Sequence, residues 1–117
     1  MRYANIVYTE EILPEELPKA IDISRVLETY ARHSCHLGAW TAGKPEPTEL
    51  PEVKDTTHHV RDVKLNDTGG LHVSYSFIST PKGFKLMKEY DESNFKMTPV
   101  VSDDGRMIVR FDFQKEE

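Results

Sequence analysis

HHVRDVKLNDTGGLHVSYSFISTPKGFKLMKEYD, residues 58–91, is the stretch that decides the fold. Leu71, Val73, Tyr75 and Phe77 alternate with His72, Ser74, Ser76 and Ile78, the period of two that sends one row of side chains to a core and the other to water. Before them, Asn66-Asp67-Thr68-Gly69-Gly70 supplies turn chemistry, so HHVRDVKL and LHVSYSFI read as the two arms of a hairpin. Thr80-Pro81 then offers an N-cap followed by proline at the first helical position. The helix it opens spans about 81–91, with Phe84, Met87 and Tyr90 expected to face inward.

Toward the C-terminus, FKMTPVV, the turn SDDG at 102–105 and RMIVRFDF form a second hairpin with Met107, Val109, Phe111 and Phe113 on one face. Pro99 has no N–H to give a ladder, which demotes its strand to an edge or a bulge. Toward the N-terminus, Ile23, Val26, Leu27 and Tyr30 recur at i, i+3, i+4 and i+7, one helical stripe with Asp22 as N-cap. The spacing predicts a helix over 22–35, with Gly38 able to end it. Asn5 to Thr9 (NIVYT) reads as a short strand, and LPEELPKA resets the chain between them. Residues 41–57 hold three prolines and show no period, so they are expected to form a flexible, proline-rich loop with Trp40 at its entrance. The fold class is α+β: a small, curled, mostly antiparallel sheet with two helices packed on it in one domain spanning 1–117.

Composition sets the outer limits. The 117 residues carry 20 Asp and Glu against 15 Lys and Arg, a net charge of −5, which argues against general binding to nucleic-acid phosphates. One cysteine, Cys35, excludes an internal disulfide and any multi-thiolate zinc site. No apolar run approaches the roughly 18 residues that span a bilayer, and Glu10 and Glu11 stand where a secretory apolar region would begin. A cytoplasmic protein that binds neither membrane nor nucleic acid is expected.

Individual chemistry is sparse. His33, Cys35 and His36 could contribute to a zinc site, but HSCH is no ligand repeat, and residues two apart on a helix diverge. His72, Ser74 and Ser76 share a strand face, yet side chains two apart on a strand stand roughly 7 Å from one another, too far for a nucleophile and its base. They read as solvent-facing alternation. Lys82, Lys85 and Lys88 make a basic strip on the second helix of an acidic protein, either a solvated face or a dock for an acidic partner. Asn66-Asp67-Thr68 matches a glycosylation sequon without a secretory context. No metal and no cofactor is expected.

Taken in order, RVLETYARH, LGAW with KPEPTELPEV, THHVRDV, NDTGGLHVSYSF, ISTPKGFKLM, FKMTPVV and DGRMIVRFDF resemble the prohead (capsid-maturation) proteases of tailed phages over about residues 22–113. The resemblance implies a protease-like half-barrel fold and a viral origin, hence the cytoplasm of a host cell. In that family the Leu-Gly motif runs on to an acidic residue and a histidine general base, whereas LGAWTAGKP contains no histidine. Thr98 aligns with the nucleophilic serine, and an internal threonine needs a dedicated base. Were the chain active, Thr98 with His58 or His59 would carry the chemistry. The expectation is the fold without the activity: a binding or assembly protein in phage head assembly, or an inhibitor of a host factor, working through a protein partner or self-association. Trp40, Lys82, Lys85 and Lys88 are its expected contact residues. An active protease with rearranged residues and an unrelated small acidic adaptor are the alternatives.

Overall fold

Six strands form one sheet in the order β1-β4-β3-β2-β6-β5, where β1 is Tyr8–Ile12, β2 His36–Thr41, β3 Thr56–Leu65, β4 Leu71–Phe77, β5 Phe95–Val101 and β6 Ile108–Lys115. Helices α1 (Ile23–Arg32) and α2 (Pro81–Glu89) complete the fold, with 3₁₀ turns at Pro14–Glu16 and Val53–Asp55. This computed structural model describes residues 2–32, 36–41 and 50–115. All strand pairs are antiparallel except β2 with β6, which run parallel over only Trp40↔Phe113 and Thr41↔Gln114. The sheet curls until its two edges, β1 and β5, approach within 8 Å between Cα atoms, and Lys96 of β5 pairs with Glu16 beyond β1 at 3.2 Å.

Both helices lie on the inner face. The Tyr30 ring of α1 meets Phe111 at 5.3 Å and Tyr90, just past α2, meets Phe113 at 5.7 Å, and residues two apart on β6 share a face. The β4 row Leu71, Val73, Tyr75 and Phe77 is fully buried beneath them, joined by Val60, Val63, Met97, Leu86 and Met87 in one core. The fold is therefore the expected α+β half barrel. Its radius of gyration, 13.4 Å, is what a single domain of this length adopts.

Local chemistry explains the elements. Asp22 caps α1, its carboxylate accepting from Arg25 N at 3.1 Å. At α2, the Thr80 hydroxyl accepts from Gly83 N at 2.9 Å and donates to the Thr56 carbonyl, tying the helix start to β3. A Cβ on Gly83 would stand 2.1 Å from the Ile78 carbonyl, so the glycine in STPKG lets the chain turn tightly back on its own cap. Before β1, the Arg2 guanidinium is held between the Tyr8 and Tyr90 rings, 4.4 Å from each centroid.

Several expectations change. The first strand starts at Tyr8, because Asn5 takes a positive φ of 64° and turns the chain. Gly38 ends no helix; it sits inside β2, and α1 stops at Arg32, with residues 33–35 outside the described set. Of the 41–57 loop, residues 42–49 are likewise outside it, Thr41 belongs to β2, and Thr56 and Thr57 open β3. Trp40 is a strand residue, half-buried, its ring edge-on to Phe95 at 5.3 Å. Phe84 faces outward, since the buried arc of α2 is Gly83, Leu86 and Met87. A register shift between Val100 and Val101 pairs Val101 with Ile108 and Val100 with Arg110. Val109 is thereby the extra residue, and Ile108 joins Phe111 and Phe113 in the core. Pro99 lies on β5, an edge strand, as its missing N–H requires.

Candidate functional site

The short β2–β6 ladder leaves a seam that side chains fill. Gly38, opposite His58 in the β2–β3 register, presents no side chain, and the His58 ring crosses over it to reach β6. A Cβ on Gly38 would lie 2.4 Å from His58 Nε2 and 2.3 Å from the Phe111 carbonyl oxygen. Nε2 stands 2.8 Å from that oxygen, and because a carbonyl only accepts, Nε2 carries the proton. Nδ1 is then the acceptor, and the Thr57 hydroxyl donates to it at 2.7 Å. The ring also meets Phe113 edge-on at 4.6 Å. Thr57 and His58 are both 0% exposed. Burial holds the imidazole neutral, lowering its pKa from 6.5 to about 4.

A second pair closes the same seam. Asp112 accepts from Ala39 N at 3.1 Å and from Arg110 Nε at 2.9 Å, so its carboxylate replaces a ladder carbonyl for β2. Both side chains are buried, and desolvation pushes the Asp112 carboxyl above the usual range despite these donors. Tyr30 donates to the Ile108 carbonyl at 3.2 Å on the same line, and burial raises its phenol. Asp112 and Arg110 carry no signal of this role in the sequence, since alternating charges on a strand usually mean a wet face.

This arrangement does not assemble the residues expected of a protease. Thr98 pairs with Asp112 on the outer face of β5, alternating with inward Met97 and Pro99, whereas His58 points inward from β3. His59, opposite Ser76, is on the outer face but three strands from β5, about 14 Å at normal strand spacing. Ser76 accepts from Arg61 at 3.1 Å, and His72 pairs with Glu11, whose carboxyl that hydrogen bond lowers. Among the described residues no three of His, Cys, Asp and Glu converge as a metal site would; His33 and Cys35 lie outside them.

The lysine strip sits at a different place, on the outward face of α2. Lys82 pairs with Asp55 at 2.8 Å, which lowers that carboxyl. Lys85 Nζ lies 5.3 Å from the centre of the Trp40 ring, and Lys88 is exposed in the last turn. Phe84 shares this face and is 53% exposed. Val53, in the 3₁₀ turn that packs beside α2, is 71% exposed, and Leu50 just upstream 75%. The structure thus brings Lys85 to Trp40 and Lys82 to Asp55, contacts the sequence does not announce, and adds the exposed Phe84 to the outward face of α2. Comparison with protein-family models, curated proteins and solved structures finds no significant match to this chain.

Proposed function

We propose that this chain is a non-catalytic binding or assembly protein with a prohead-protease-like half barrel, acting through protein–protein contact in phage head assembly or on a host factor. The observation that carries the reading is the α2 face, where an outward phenylalanine stands among three lysines on a protein of net charge −5. Exposed aromatic side chains are enriched at protein interfaces, and a basic strip on an acidic protein steers an oppositely charged partner toward it. The enclosed His58 adds support, because the ring and the Thr57 hydroxyl that donates to it are both 0% exposed, out of reach of a substrate. The test is in-cell crosslinking of tagged protein, wild type against Phe84→Glu/Lys88→Glu. A partner band lost only in the folded double variant supports the reading, and an unchanged band pattern overturns it.

The protease reading draws on one contact, the Thr57 hydroxyl on the His58 imidazole, which has the geometry of a nucleophile and its base. It requires the seam to open for substrate. A hydroxyl-directed phosphonate probe that labels wild type but not Thr57→Val would establish it, and absence of labelling removes it.

A further inference from the structure

The geometry points to an acidic α-helix of a partner protein as the occupant of the α2 face, an inference that rests on the binding reading above. Lys82, Lys85 and Lys88 repeat every three residues, so the bases of successive lysine side chains advance about 4.5 Å along the helix axis. A second helix laid alongside presents carboxylates at the same axial step, because it rises by the same amount per residue. An extended strand presents same-face side chains about 6.6 Å apart and falls out of step after one contact. Phe84 and Lys88, one turn apart, place an apolar contact beside the row, so the helix that fits carries Leu or Met next to its Asp and Glu residues.

Charge also selects this face. Elsewhere the protein is predominantly acidic and repels such a helix, so like charge around a local basic strip orients an acidic partner onto α2. Two of the lysines are already positioned: Lys82 by Asp55 and Lys85 by the Trp40 ring. An incoming carboxylate draws Lys85 from that ring, and Trp40, the sole tryptophan, reports it.

The test uses the full chain and three labelled synthetic peptides: a helical one with Glu in an i, i+3, i+6 row beside Leu, its Glu→Gln counterpart, and a proline-interrupted isomer of identical composition. Anisotropy measures binding and Trp40 emission marks its place. The acidic helix is expected to bind saturably, to shift Trp40 emission, and to weaken at least tenfold in Lys85→Gln/Lys88→Gln and in 0.5 M salt. The Gln peptide and the proline isomer are expected to bind at least tenfold more weakly. Equal binding of the proline isomer overturns the helical occupant. Capture of the protein by phosphatidylglycerol vesicles, with no binding of the acidic helix, overturns it in favour of a membrane surface. If no acidic helix binds while the crosslinked partner is still lost in Phe84→Glu/Lys88→Glu, the helix is refuted and the binding reading stands.

Discussion

Acidification should weaken this fold through His58, and the size of the effect follows from its surroundings. The imidazole is fully buried, donates from Nε2 to Phe111 O, and accepts at Nδ1 from Thr57. Its pKa falls from 6.5 in an exposed chain to about 4. Between these values the unfolded chain takes up a proton that the native state refuses, so stability falls as pH drops from about 7 toward 4 and this group adds no further loss below. Two and a half pH units at about 1.4 kcal/mol each give a loss of roughly 3 kcal/mol, a large fraction of the stability of a small domain. Asp112 works the other way: its raised pKa makes the native state the better proton binder, so acid relieves a buried charge there. The assay is urea unfolding from pH 7.5 to 4.5 for wild type and His58→Gln, read as the difference in slope, with the His58 ring titration followed by NMR. An ordinary ring pKa near 6.5, or identical pH slopes for the two proteins, would refute the reasoning.

Gly38→Ala should cost about 3 kcal/mol or more, since its Cβ collides with the Phe111 carbonyl and the His58 ring and breaks a buried hydrogen bond; chemical denaturation checks it, and a loss under 1 kcal/mol contradicts it. Thr80→Ala should lose about 1–2 kcal/mol with the cap and the bond to Thr56, and Thr80→Ser should restore most of it. Phe84→Ser should leave stability within about 0.5 kcal/mol, whereas Leu86→Ala two residues on should lose about 2–5 kcal/mol, because only the second is buried. Trp40→Ala should lower the melting temperature, since the ring packs on Phe95 inside a strand.

The elements legible in the sequence were those whose reason is local. The β4 row and the turn before it specify a hairpin by alternation, and Thr80-Pro81 specifies a helix start by capping alone. β2 is different: HLGAWT has no alternation, and it is held as a strand by pairing with β3 and β6, a fit that the bare Gly38 under the His58 ring allows. Phe84 looked inward because it lies three residues from Met87, yet the buried arc is centred between Leu86 and Met87, and Phe84 falls on its rim. The bulge at Val109 exchanges which residues of RMIVRFDF face the core, and no turn residue announces it. The lysine strip is visible as charge spacing, but the 3₁₀ turn Val53–Asp55 beside it comes from a stretch without period, placed by packing against α2 and by the Lys82–Asp55 pair.

The two polar groupings of this fold divide its work. The seam spends its histidine, carboxylate, arginine and hydroxyl on joining β2 to β6, where the backbone ladder covers only two residue pairs. Each of these groups would be costly to leave buried and unpaired, so none can be released for chemistry without weakening the join. The α2 face carries the opposite investment: Phe84 contributes little burial and its lysines cost little desolvation, so the fold does not need them where they are. Trp40 belongs to both, part of β2 on one side and the platform for Lys85 on the other. That tryptophan is committed to the sheet through Phe95, and the binding reading proposed above therefore rests on Phe84 and the lysine row, with the Trp40 ring as the resting place that Lys85 leaves when a carboxylate arrives.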